Sequence, residues 1–139
     1  MTNTTELKNH LQEQVVRMYD CLDAEDVGGY MAFFTEDASF ESLFGAMQGR
    51  ETIRDFMTNH VASGMEHGVR HFLSNFYLDV DGTTGKLSFY VAKMQVKVGP
   101  SLIGSAAAEC HFDMSQGDTP LNKIILHIDE ASLTTPDEL

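Results

Sequence analysis

A chain of 139 residues, 42% hydrophobic and 22% charged, has the length and balance of one folded domain and is too short for two ordinary ones. Its net charge of −12 supplies no basic face to replace counterions, which excludes nucleic acid and anionic membrane surfaces as expected partners. No apolar run approaches the roughly 20 residues of a membrane span, and Met1 to Glu13 is too polar for a signal peptide.

From Asn3 to Ala62 the apolar spacing is helical, and from Val69 to Ile128 it is mostly that of strands. Asn3 followed by Glu6 resembles a capping box, and Leu7, Leu11, Val15, Met18 and Leu22 recur at helical intervals in a first helix ending near Asp23. A short second helix starts around Asp26 and turns Tyr30, Phe33 and Phe34 inward, although Gly28 and Gly29 weaken it. Ala38 to Phe44 reads as a first strand and Gly45 to Gly49 as a turn. Arg50 to Ala62 is a third helix with Ile53, Phe56, Met57 and His60 on one face, stopped by Gly64.

Alternation then takes over. His71, Leu73, Asn75 and Tyr77 point one way, and Phe72, Ser74, Phe76, Leu78 and Val80 the other. Asp81-Gly82 marks a hairpin into Leu87 to Val98, and Gly99-Pro100-Ser101 turns the chain into Leu102 to Met114. Asn122 to Glu130 is the last strand, and the tail after Ser132 is expected to fray. Cys21 and Cys110 have no metal-ligand spacing and sit among apolar residues, the pattern of reduced, buried thiols in a cytoplasmic protein.

Helices first and a run of long strands afterwards predict an α+β fold, three N-terminal helices on a mostly antiparallel sheet. Long antiparallel strands twist, so the sheet curls and the helices over its concave side leave a cavity at one end. The expected domain spans residues 1–139, ordered over about 4–131.

The segments Tyr19-Asp20-Cys21-Leu22-Asp23-Ala24-Glu25-Asp26, Phe33-Phe34-Thr35-Glu36-Asp37-Ala38, Gly49-Arg50-Glu51-Thr52-Ile53-Arg54 and Arg70-His71-Phe72-Leu73-Ser74-Asn75 together resemble the SnoaL-like domain of the nuclear transport factor 2 superfamily. The resemblance implies a cone-shaped α+β fold, often a homodimer through the open sheet face, here the face assigned Lys93, Gln95, Glu109 and His111. Ketosteroid isomerases of that superfamily need a carboxylate base, a tyrosine and a protonated aspartate. Ser42, Met18 and Cys110 stand there instead, which argues against that activity. Scytalone dehydratase and hexachlorocyclohexane dehydrochlorinase share an aspartate after the first helix and a histidine opening the strand after the third helix. Those positions match Asp23 and His71, while the dehydratase's tyrosines and second histidine fall on Leu22, Ser42 and Ser105.

A carboxylate bonded to one nitrogen of an imidazole fixes its tautomer and leaves the other nitrogen free to take a proton. His71 is therefore the candidate base and Asp23 its orienting partner. The plainer alternative is that Asp23 caps the second helix and His71 is a core histidine. Tyr19, one turn before Asp23, and Asn75, four residues beyond His71, are candidate substrate contacts, and Phe34 and Phe56 are candidates for an apolar wall. His60, His67 and His71 lack a carboxylate at metal-ligand spacing, so no metal is expected, and with no phosphate loop or nucleotide fingerprint no cofactor is expected either. The expected function is a cofactor-independent lyase (dehydratase) or isomerase of a small hydrophobic, cyclic molecule. The alternative is a ligand-binding domain, or a partner protein like the small subunit of aromatic-ring dioxygenases.

Overall fold

The structure is a computed structural model and describes residues 3–97 and 99–133. Helix α1 spans Thr4–Asp23, and the Asn3 side chain caps it by accepting the Glu6 N–H at 2.8 Å. Its face of Leu11, Val15, Met18, Tyr19 and Leu22 is buried. Helix α2, Val27–Met31, has only five residues, two of them glycine, and Asp26 caps it by accepting the Gly29 N–H at 2.9 Å. Helix α3, Arg50–Ala62, buries Ile53 and Met57.

Six strands form one sheet in the order β2-β1-β6-β5-β4-β3. They are β1 (Phe34–Ser42), β2 (Gly45–Gln48), β3 (Val69–Asp81), β4 (Thr84–Gln95), β5 (Ser101–Asp113) and β6 (Leu121–Ile128). All neighbouring pairs are antiparallel except β1 with β6. Two local expectations need correction. Phe34 opens β1 instead of continuing α2, so the strand begins four residues before Ala38. The expected turn at Gly45 to Gly49 is the edge strand β2, paired with β1 from Ser39↔Gln48 to Ser42↔Gly45. Four residues are too few to show a period of two, so only pairing with β1 reveals this strand.

The register slips once in each of the β1–β6, β3–β4, β4–β5 and β5–β6 pairs. Each irregularity adds local twist, which bends the sheet around the helices. The core lies on the concave side, where Leu11, Val15 and Met18 of α1 join Leu87 and Phe89 of β4, Cys110 and Phe112 of β5, and Ile124 of β6. Cys21 and Cys110 are free thiols, Cys110 buried and Cys21 half-buried. Burial pushes both up from the ordinary thiol range, with the Asp26 and Asp20 carboxylates adding to the effect at Cys21.

The faces of β4 are resolved by burial: Leu87, Phe89 and Val91 point inward, and Tyr90 outward. Lys93 has the phase of Val91, so it lies on the concave side and not on the outer face assigned to it from the sequence. Among the described residues no helix is long and apolar enough to cross a membrane. The expected fraying tail after Ser132 lies, beyond Leu133, outside the described residues.

Candidate functional site

A cavity of about 420 Å³ opens between the helices and the concave face of the sheet. Tyr19 and Leu22 of α1, Tyr30 of α2, Phe40 of β1, Phe56 of α3 and Val91 of β4 are among its walls. Four large apolar side chains that line it, Phe44, Phe56, Met65 and Ile103, are also exposed, so the mouth as well as the interior is apolar. Such a space suits a flat, hydrophobic small molecule. Phe34 does not reach it: the ring is buried in the core against Tyr30, with centroids 5.3 Å apart. Phe56 does reach it, stacked on His60 with a 9° interplanar angle.

His71 is part of the lining of this cavity, and Asp23 is bonded to it. The His71 Nδ1 lies 2.6 Å from Asp23 Oδ1, and the His71 backbone N–H donates to Asp23 Oδ2 at 3.2 Å. One carboxylate thus holds both the main chain and the ring of the same residue. An ionised carboxylate only accepts, so Nδ1 carries a proton, and in the neutral ring Nε2 holds the lone pair. The plainer role for Asp23 is taken by Asp26, which caps α2. Asp23 ends α1, where a negative charge opposes the helix dipole, and no basic residue in the last turn offsets it.

The way α1 ends sets this up. Glu25 turns left-handed at φ 58°, with its N–H bonded to Leu22 O and the Asp26 N–H to Cys21 O. This pair of reverse bonds closes the helix and carries the chain away sharply. Asp23 is left at the edge of the last turn, beside the start of β3. The Tyr19 ring, one turn earlier, packs 5.1 Å from the His71 ring. Burial first, then Tyr30, Cys110 and the Glu66 and Asp23 carboxylates, push the Tyr19 phenol well above its usual range, so its hydroxyl stays protonated.

The residue that sequence reasoning missed is Glu66. It sits in the loop between α3 and β3, a place where a charged side chain is expected in solvent, yet it is 2% exposed. Gly64 and Gly68 on either side adopt φ values of 85° and 69°, which fold the loop back under the sheet. Glu66 Oε1 accepts from Lys93 Nζ at 2.7 Å and from His60 Nε2 at 2.6 Å. Its Oε2 is buried without a hydrogen-bond partner, 3.7 Å from His71 Nε2. Burial pushes the Glu66 carboxyl up, but the hydrogen bonds from His60 and Lys93 and the charge of Lys93, joined by that of the His71 ring when protonated, outweigh it, and it ionises below its ordinary value. His71, Glu66, Lys93 and His60 therefore line the cavity together, with Asp23 bonded to His71.

Asn75 is a correction. The β3–β4 register breaks between Ser74 and Tyr77, and Asn75 takes the left-handed conformation at φ 59°. This extra residue reverses the alternation, so Phe76 and Leu78 turn inward in place of Asn75 and Tyr77, and Asn75 is exposed away from the cavity. Asn75→Val is expected to destabilise the fold by about 1–2 kcal/mol, because a β-branched residue resists that conformation, while Asn75→Gly stays within a few tenths. Urea melts read this, and ligand affinity should not change in either variant. Ser42 and Ser105, which stand where the dehydratases carry a tyrosine and a histidine, do line the cavity. His67 lies apart on the surface, with Nδ1 3.3 Å from Glu25 Oε2. Among the described residues no group of three or more His, Cys, Asp or Glu is placed to hold a metal ion.

The fold is shared with many solved structures. A protein of unknown function with a cystatin-like fold from Nostoc punctiforme superposes with a TM-score of 0.83 at 23% identity, over 94% of this chain and 97% of that one. ActVI-ORFA from Streptomyces coelicolor gives 0.80 at 20% identity, over 88% and 98%. The beta subunit of the benzoate 1,2-dioxygenase from Burkholderia mallei gives 0.73 at 12% identity, over 100% and 99%. At these identities the likeness shows a nuclear transport factor 2-like, cystatin-like fold. No curated protein matches the sequence. The family model of the SnoaL-like domain matches residues 3–118, and the chain belongs to the SnoaL-like family.

Proposed function

We propose that the protein is a cofactor-independent lyase or isomerase of a small hydrophobic, cyclic molecule, with His71 as general base and Asp23 as its orienting partner. The observation that carries this reading is the 2.6 Å bond to Asp23 Oδ1 from Nδ1 of His71, a residue that lines an apolar cavity. His71 Nε2 takes a proton from carbon next to an electron-withdrawing group, and the C–H electron pair passes into the substrate as an enolate. In an elimination that pair forms the new double bond as a hydroxyl leaves with its own bonding pair, and the proton on Nε2 goes to that oxygen to make water. In an isomerisation the same proton returns to a different carbon. Either route ends with His71 neutral, so no external oxidant or reductant is consumed. The imidazolium between the two steps has the Asp23 carboxylate at one nitrogen and Glu66 beyond the other.

The test does not need the natural substrate. Cyclic ketones incubated with the protein in heavy water should gain deuterium next to the carbonyl, read by mass spectrometry, and the gain should vanish in His71→Ala. Ketones that bind without any protein-dependent exchange would leave only the rival reading, a binding domain without turnover. The absence of tyrosines at Leu22 and Ser42 favours that rival.

A homodimer through the outer face of the sheet is part of the proposal. Phe72, Tyr77 and Tyr90 are 54%, 71% and 58% exposed there, close to His127 and Glu109, whose Nε2 and Oε2 atoms are 3.6 Å apart. Large aromatic side chains on an exposed sheet face are poorly solvated and mark an association surface. Sedimentation should show two copies, and Tyr90→Glu should shift the population to monomer with the fold intact. A wild-type protein that stays monomeric at working concentration removes this part.

A further inference from the structure

The proposed base needs a counterpart on the substrate's oxygen. Proton removal next to a carbonyl places negative charge on that oxygen, and the reaction is fast only where something meets the charge. Neither family tyrosine is present to do so. We infer that Lys93 is the group that holds the developing oxyanion, and that the substrate is accordingly a carbonyl compound whose oxygen sits beside its ammonium. The inference rests on the reading of His71 as base but depends on a different residue and a different contact.

Three observations carry it. First, β3 and β4 pair His71 directly with Lys93, so the two side chains rise from neighbouring positions on the same face, with Cβ atoms about 5 Å apart. Proton acceptor and cation are then spaced for two adjacent atoms of one small molecule. Second, Lys93 lines the cavity and its side chain is 22% exposed, whereas its partner Glu66 is 2% exposed. Both residues line the cavity, but the lysine side chain is the more exposed of the pair and the carboxylate is its buried anchor. Third, the ammonium has three hydrogens, and the Glu66 Oε1 contact at 2.7 Å accounts for one. The ammonium is already held in place by Glu66 before a ligand arrives, and that is the requirement for electrostatic preorganisation. His60, bonded to the same Oε1, holds Glu66 from the other side and is a positioning residue for Lys93.

The alternative is that Lys93 only neutralises a buried carboxylate. The two differ in whether the cavity prefers a negative oxygen. The probes are 4-nitrophenolate, which mimics an enolate, and nitrobenzene, its neutral counterpart of nearly the same shape. Wild-type protein should bind the phenolate on the order of tenfold more tightly, as befits a charge-assisted hydrogen bond. The bound phenol should also ionise at a lower pH than the free one, seen as earlier yellow absorbance. Lys93→Met should still bind nitrobenzene and lose the preference, and Lys93→Arg should keep it. Circular dichroism checks that both variants fold.

Equal affinity for the two probes in wild-type protein overturns the inference, even if Lys93→Met fails to fold. So does a preference that survives in folded Lys93→Met. If the base reading fails alone, the phenolate preference stands while deuterium exchange persists in His71→Ala. If the oxyanion reading fails alone, exchange is lost in His71→Ala and the preference is absent from the start. Should neither probe enter the cavity, the oxyanion inference falls, and deuterium exchange alone decides the base reading.

Discussion

His71→Ala is expected to lower turnover by about a hundred- to ten-thousand-fold, the usual contribution of a positioned general base. The loss should fall on kcat more than on KM, because the ring meets the substrate's proton during the chemical step and adds little to an apolar wall that extends well beyond it. Asp23→Asn sharpens the result. It keeps the size of the side chain but removes the charge that fixes the Nδ1–H tautomer and attracts the imidazolium. It should therefore also depress kcat, without abolishing binding of a neutral ring. If His71→Ala turns over a good substrate as fast as wild type, the pair is structural: a carboxylate at the end of α1 that pins the start of β3 by its backbone.

The second large effect is on stability. Glu66→Gln should destabilise the protein by about 2–3 kcal/mol, below the range for fully buried pairs because the freed Lys93 can turn toward water. For a chain of this length that corresponds to a midpoint lower by roughly 6–12 °C. The pH dependence gives the effect a signature. The folded protein holds the Glu66 carboxyl below its ordinary value of 4.5, so the unfolded chain takes up a proton first as acid is added. The charged pair thus contributes its full stability above about pH 4.5 and loses it as the pH falls through the lower folded value. The gap between wild type and Glu66→Gln should stay constant from neutrality to about pH 4.5 and close below it. A gap that widens on acidification would mean that Glu66 is protonated in the native state and that the link to Lys93 and His60 does not hold.

Replacing Glu66 and Lys93 together by apolar residues of similar size could restore or even raise stability, since a well-packed apolar pair often matches a buried ion pair. Such a double variant would separate folding from function: stable, with an open cavity, and without the cation beside His71.

Much of this protein is determined locally, and those parts were legible in the sequence. Asn3 and Glu6 are three residues apart and cap α1 by contacts within one turn. The apolar period of α1, the Asp81-Gly82 hairpin and the long alternating strands rest on neighbours in the chain, so the α+β class and the concave cavity follow from them. The Asp23–His71 pair spans 48 residues and was nonetheless visible, because the resemblance to a family placed two reactive residue types together.

Tertiary structure alone decided the rest. Asn75 is turned away from the site by one irregular residue in β3, and alternation cannot predict its own interruption. The edge strand β2 exists because β1 offers it hydrogen bonds. Glu66 reads as a solvated loop residue until the loop folds under the sheet, and Lys93, 27 residues away, reads as a surface lysine until β4 is seen to face inward there. Burying that carboxylate is unfavourable in isolation and becomes favourable only when a cation and an imidazole, brought from two other elements, arrive with it. A cost that is met by distant partners leaves no mark on the residues nearby.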